Sequence, residues 1–219
     1  MTTLYLVRHG QSLANVEERC AGHTDVDLSG LGVLQAEATA RALADVPFTA
    51  LYSSDLLRAY RTAEAHTVYH PLEVQKNPGL REVCCGDMEN LTRAEQYERF
   101  PDLMPERWVH GFGTFAFPHG ESIPHACARF TATAEEIARV HAGQTVLLAS
   151  HAAVIRAFYA SVMGLAPEEV AAGLPFPSNA SYSIVTYDGT RFAPVRYSCD
   201  DHLGDMATNI TYRAGESGD

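Results

Sequence analysis

The stretch Leu4-Tyr5-Leu6-Val7-Arg8-His9-Gly10-Gln11-Ser12 decides the fold. Its apolar start, Leu4 to Val7, is a strand candidate, and it stops at once in a permanent cation, a titratable ring and a glycine. A short, continuous apolar run of this kind fits a strand buried on both faces of a parallel sheet. Two readings of its end are open. Either the strand surfaces into solvent there, or it delivers an imidazole to the rim where open parallel sheets bind ligands.

Working outward, similar short apolar runs lie at Thr49–Tyr52, Leu72–Val74 and Thr145–Ala149. Helical patterns separate them. Ser29 reads as the N-cap of a helix through Ala44, with Leu31, Leu34, Ala38 and Ala42 inward. Asp55 to Thr67 sets Leu56, Tyr60 and Ala63 on one face. Ser122 caps a long helix to about His141, with Ile123, Cys127, Phe130, Ala134 and Ile137 as its core stripe. Val154, Ile155, Phe158 and Val162 mark a further helix. Ser181–Tyr187 and Arg191–Tyr197 flank Asp188-Gly189, a pair suited to a two-residue hairpin turn, and Pro194 puts the second of these strands at a sheet edge. The sum is a three-layer α/β/α fold, a mostly parallel sheet with an antiparallel edge strand. We expect one domain over residues 1–219, with a lid-like insertion at about 86–120 that holds a weak helix (Thr92–Phe100) and three prolines. The stretch from Ala214 to Asp219 is small, polar and acidic, and is expected to fray.

Composition narrows the function. The 219 residues are 46% hydrophobic and 20% charged, ordinary for a globular protein. No stretch is apolar and long enough to span a bilayer, and Met1-Thr2-Thr3 does not start like a signal peptide, so a cytoplasmic protein is expected. A formal net charge of -11 disfavours nucleic acid and anionic membranes as partners. A site for a phosphorylated molecule must override that field locally. Lys76 is the only lysine among 16 cationic side chains, so nearly all fixed positive charge is arginine, the residue suited to two-point oxyanion binding. The five cysteines show no CxxC and read as reduced thiols. His66 and His70 have the i, i+4 spacing of a helical metal pair, but Pro71 ends that helix and no third ligand is evident. They are assigned to a solvated face, and no metal site is expected. His119 and His125 read as rim residues without a role.

If the strands are parallel, the residues just beyond their carboxyl ends share one rim. The first strand leads to Arg8 and His9, and the second to Ser53-Ser54-Asp55 with Arg58 a turn later. The third leads to Leu80-Arg81-Glu82, and the strand at 145–149 to Ser150-His151. Packing alone accounts for one such residue, not for four loaded strand ends. Leu6-Val7-Arg8-His9-Gly10 resembles the signature of the histidine phosphatase superfamily, in its cofactor-dependent phosphoglycerate mutase-like branch. Further matches run in the family's order: Asn15 and Arg19; Gly22-His23-Thr24-Asp25 with Leu28-Ser29; Ser54-Asp55-Leu56-Leu57-Arg58-Ala59; Leu80-Arg81-Glu82 with Gly86; Gly120-Glu121-Ser122; and Ser150-His151. They span about residues 4 to 156.

The resemblance implies a phosphoglycerate mutase-like fold and catalysis through a phosphohistidine. His9 is then the nucleophile, Arg8 and Arg58 hold the phosphoryl oxygens, His151 donates to the phosphoryl group, and Glu82 shuttles the proton. Asn15 adds a neutral hydrogen bond, Arg19 and Arg81 are candidates for contact with the rest of the substrate, and no metal or other cofactor is required because the arginines stabilise charge. Two departures stand out. Ala152 comes after the second histidine where the family commonly has glycine, which alters the wall of the binding site or is harmless at a helix start. Asp87-Met88-Glu89-Asn90 stands where phosphatase members often carry a Trp-Glu-Gly run. Gln11 after Gly10, the sequence Glu82-Val83-Cys84-Cys85 and the modest insertion resemble the family's phosphatase members more than its mutases, and that resemblance implies a phosphomonoesterase acting on a small phosphorylated metabolite. The alternatives are a phosphoglycerate mutase and a non-catalytic phosphate binder. A homodimer is left open.

Overall fold

The computed structural model describes residues 1–105 and 115–208. Part of the expected insertion (106–114) and the acidic C-terminal stretch lie outside the described residues. In chain order the elements are β1 (Thr2–Arg8), α1 (Leu13–Val16), α2 (Gly30–Ala42), β2 (Phe48–Ser53), α3 (Leu57–Ala65), β3 (Val74–Lys76), α4 (Arg93–Arg99), α5 (Ile123–Val140), β4 (Thr145–Ser150), α6 (Ala152–Met163), α7 (Pro167–Gly173), β5 (Tyr182–Tyr187) and β6 (Phe192–Cys199).

The six strands form one sheet in the order β3-β2-β4-β1-β5-β6. β3, β2, β4 and β1 are parallel, and β5 runs against both of its neighbours. The carboxyl ends of β1, β2 and β4 therefore share a rim with the amino end of β5. Main-chain bonds knit that rim: His9 N–H donates to Ser150 O (2.9 Å), Ser54 N–H to Ala149 O (2.9 Å) and Arg8 N–H to Ser181 O (3.0 Å).

Strand alternation divides the core into the two expected faces. Leu4, Leu6, Val146 and Leu148 pack in one cluster with Phe130 of α5 and Phe158 of α6, whose rings lie 5.1 Å apart. Val7, Leu51, Leu147 and Ala149 pack in another with Leu43, which ends α2, and Ala63 of α3. Truncating a buried phenylalanine such as Phe130 to alanine costs about 3–5 kcal/mol. Residues of the insertion join the first cluster through Met88, Met104, Phe115 and Phe117. The helix at its centre begins at Thr92, whose hydroxyl accepts from Glu95 N–H while the Glu95 carboxylate accepts from Thr92 N–H.

Four expectations change. β3 covers Val74–Lys76 rather than Leu72–Val74, because Pro71 is followed by a tight turn in which Leu72 N–H reaches His70 O (2.6 Å). The hairpin turn is displaced by one residue: Tyr187 pairs with Phe192, and Asp188 N–H bonds Arg191 O across Gly189 and Thr190. The Asp188 carboxylate accepts from Thr190 N–H and Arg191 N–H, which holds Asp188 at the start of the turn. The buried face of α2 is Gly32, Gln35, Ala36, Thr39 and Ala40, while Leu34 is 53% exposed. There the helix is drawn in by close backbone approach and buried hydrogen bonds rather than by its leucines. Finally, His66 and His70 are buried against the ring of Phe48, with no solvated face.

Candidate active site

The rim of β1 presents His9 with its ring set by its neighbour. Nδ1 lies 2.7 Å from Gly10 O. A carbonyl only accepts, so Nδ1 carries the proton and Nε2 keeps its lone pair. The turn that allows this is tight: a Cβ on Gly10 would stand 2.3 Å from Gly32 O, and one on Gly32 would stand 2.0 Å from Gln11 O. Glycine at both positions is a packing requirement. Gln35 and Gln11 complete the join, with Gln11 N–H donating to Gln35 Oε1 (2.8 Å) and Ser29 Oγ to Gln11 Oε1 (2.8 Å).

His151, the N-cap of α6, faces His9 edge-on with ring centroids 5.2 Å apart. It is fully buried, and neither ring nitrogen has a hydrogen-bond partner among the described residues. Buried orphaned polar atoms are costly and uncommon. Arg58 adds another in its Nε. Burial, then Arg58 and Arg8, hold the His9 imidazole well below its ordinary protonation range. The His151 ring is lowered in the same way, first by burial and then by Arg58 and His9. Both rings are therefore neutral at pH 7.

The arginines are buried and anchored. Arg8 Nη1 donates to Pro177 O (2.6 Å). Arg58 Nη1 and Nη2 donate to Thr24 O (2.9 Å) and Gly22 O (2.8 Å), so it also holds the loop of Gly22-His23-Thr24-Asp25. Asp25 returns the support by accepting from Leu57 N–H (2.7 Å) at the start of α3, the helix that carries Arg58. Glu82 acts on Arg58 electrostatically as the leading favourable charge. Its carboxylate lies at the N-terminus of α6: Oε1 accepts from Val83 N–H (3.0 Å) and Val154 N–H (3.1 Å), and Oε2 from Ala153 N–H (3.1 Å). Ala152 is the first residue of α6 and is buried.

Asn15 joins the group through a residue that the sequence pattern does not single out. Asn179 Nδ2 donates both to His9 O (3.2 Å) and to Asn15 Oδ1 (3.2 Å), and Ala180 N–H donates to His9 O (3.1 Å). The only signal for Asn179 is topological: a strand antiparallel to β1 must begin at the rim. The remaining candidates are engaged elsewhere. Arg81 forms a two-point pair with Asp55 (2.7 and 2.6 Å). Arg19 bonds Asn90 O (2.7 Å) and Glu95 (3.0 Å) of the insertion. Among the described residues no cluster of His, Cys, Asp and Glu is placed to hold a metal ion. The five cysteines form no disulfide. His119 pairs with Asp87 (2.8 Å), and His125 lies 3.4 Å from Glu121.

Known proteins share this arrangement's scaffold. Phosphoserine phosphatase 1 of Hydrogenobacter thermophilus is 32% identical over 94% of this chain and 96% of its own. A 2,3-bisphosphoglycerate-dependent phosphoglycerate mutase of Methylocella silvestris is 35% identical over 78% of this chain and 89% of its own. A mycobacterial glucosyl-3-phosphoglycerate phosphatase, solved in complex with VO3, is 30% identical and superimposes with a TM-score of 0.82 over 90% of this chain and 99% of that one. The model of the histidine phosphatase superfamily (branch 1) matches residues 4–200. With that match running from the first residues of β1 through β6, the chain belongs to branch 1 of the histidine phosphatase superfamily.

Proposed function

We propose that the chain is a metal-independent phosphomonoesterase that hydrolyses a small phosphorylated metabolite through a phosphohistidine on His9. The observation that carries this reading is the pairing of a neutral His9, its Nε2 lone pair directed by the Nδ1 bond to Gly10, with the orphaned buried nitrogens of His151 and Arg58. Donors buried without partners beside a nucleophile suit an anion whose oxygens complete them. In the first step the Nε2 lone pair attacks phosphorus, the bond from phosphorus to the leaving oxygen breaks, and Glu82 gives that oxygen a proton. In the second, Glu82 takes a proton from water, the hydroxide oxygen bonds to phosphorus, and the phosphorus–nitrogen bond breaks to release phosphate and free His9. Oε2, with a single backbone donor among the described residues, keeps a lone-pair direction for this transfer.

Relatives named as phosphatases support hydrolysis, and the Methylocella relative keeps a mutase as the second reading. Two observations favour the phosphatase. Gln11 turns its side chain to Ser29, and Arg81 and Arg19 are held by Asp55 and Glu95, so neither guanidinium stands unpaired for the second charged group of a bisphosphorylated intermediate. A single domain over residues 1–219, the 86–120 segment as substrate wall and a cytoplasmic setting fit this reading, as does the net charge of -11 with a partner other than nucleic acid. Phosphate release from a panel of phosphorylated metabolites tests it, run beside phosphoglycerate isomerisation primed with bisphosphoglycerate. Isomerisation faster than hydrolysis would establish the mutase.

A further inference from the structure

Two further side chains converge on one atom of the segment that carries Glu82. Arg129 Nη2 donates to Glu82 O at 2.9 Å, and His23 Nε2 donates to the same oxygen at 2.8 Å. The two lone pairs of that carbonyl are thereby filled, and the His23 ring proton is fixed on Nε2. Arg129 comes from α5 and grips further main chain through Nη1, which donates to Gly79 O (3.0 Å) and Arg81 O (3.0 Å). Its guanidinium is aimed by Glu121, with Nε to Oε1 at 3.1 Å and Nη2 to Oε2 at 2.8 Å, and Glu121 Oε2 also accepts from Cys84 N–H (3.0 Å). From the opposite side, His23 belongs to the loop that Arg58 holds by its Gly22 and Thr24 carbonyls. Glu89 braces the same loop, accepting from His23 N–H (2.8 Å) and Thr24 Oγ1 (3.0 Å). The Glu82 main chain is thus gripped between a core helix and the loop that Arg58 holds.

We propose that Arg129 and His23 are positioning residues for proton transfer by Glu82, acting through its carbonyl oxygen; this rests on the reading of Glu82 as the acid and base. Three backbone N–H groups orient the carboxylate, and the Arg129–His23 brace sets the main chain from which it projects. A displacement of about 1 Å in such a group can cost about a hundredfold in rate. In the transfer to His9 the loss falls on leaving groups that need a proton and spares those that do not.

The test is kcat/KM, which reads phosphoryl transfer to His9 apart from the later hydrolysis in which Glu82 is the base, on an alkyl phosphate and on p-nitrophenyl phosphate for wild type, Glu82→Gln, Arg129→Met, His23→Ala and His23→Gln. Glu82→Gln is expected to lower the alkyl-to-aryl ratio by tenfold or more. Arg129→Met and His23→Ala are expected to lower the same ratio by about tenfold, and His23→Gln, whose amide N–H reaches the carbonyl, to restore most of it. Combined with Glu82→Gln, neither substitution should lower the ratio further. If Arg129→Met does not fold, His23→Ala decides alone, since the partly buried His23 sits on a loop outside the sheet and helices. Equal losses on both substrates in the brace variants, with a selective loss in Glu82→Gln, would overturn the proposal and leave the acid assignment standing. An unselective loss in Glu82→Gln itself would overturn both.

Discussion

His9 Nδ1 donates to the carbonyl of Gly10 at 2.7 Å, and that one bond decides which nitrogen keeps its lone pair. It raises the ring's proton affinity slightly, but burial and the charges of Arg58 and Arg8 outweigh it and hold the ring neutral. In an NMR titration the His9 ring should therefore stay neutral through pH 6.5, the ordinary midpoint for histidine, and protonate only well below it. A His9 midpoint at or above that value would contradict the electrostatic account.

The approach of Gly10 to Gly32 is a second point of exposure. A Cβ on Gly32 meets the Gln11 carbonyl oxygen, a backbone atom that moves only if the turn bearing His9 moves. Gly32→Ala should destabilise the protein by roughly 1–3 kcal/mol, the usual cost of overpacking, and lower kcat as the ring loses its alignment. Denaturant melts and steady-state rates measure the two effects. Unchanged stability and rate would show that the turn is softer than its contacts imply.

In the proposed mechanism Arg58 has two jobs, charge toward the phosphoryl group and the two-point grip on Gly22 O and Thr24 O that the structure shows. Lysine keeps the charge and loses the fork. Arg58→Lys is expected to lower kcat/KM by about a hundredfold, in the range of losing a preorganised donor, and to make the loop at 22–25 more open to limited proteolysis. A loss in rate with unaltered proteolysis would separate the two jobs and refute the anchoring role.

The strands and the rim are legible in the sequence because buried parallel strands leave short apolar runs, and because their carboxyl ends lead to Arg8, His9, Arg58, Glu82 and His151. The pattern misleads where burial serves something other than apolar packing. In α2, Gln35 and Thr39 are buried to satisfy Gln11 N–H and Ala180 O, while Leu34 faces water. Periodicity of leucines cannot report that. The roles of Arg129, His23 and Asn179 escape a sequence reading as well, because each acts on main-chain carbonyls, a target with no sequence signature.

His66, which the sequence reading assigns with His70 to a solvated face, is instead sealed beside Phe48, with neither ring nitrogen hydrogen-bonded among the described residues. Burial, then the nearby His70 and His202, lower its pKa to about 3. The unfolded chain takes up the proton near pH 6.5 and the folded one near 3, so this group's contribution is full above about pH 6.5 and is lost as pH falls toward 3, at about 1.4 kcal/mol per unit. His66→Leu should flatten the acid side of the stability curve by that slope, read from urea midpoints between pH 7.5 and 4.5. Parallel curves for both proteins would contradict it.

The central claim is that His9 carries the phosphoryl group in turnover. Rapid acid-free quenching during hydrolysis of a labelled phosphomonoester, with peptide mapping afterwards, tests it most directly. An acid-labile, base-stable phosphate on His9, absent from His9→Ala, is the expected result. A turning-over enzyme with no such label, or with an acid-stable label on another side chain, would contradict it.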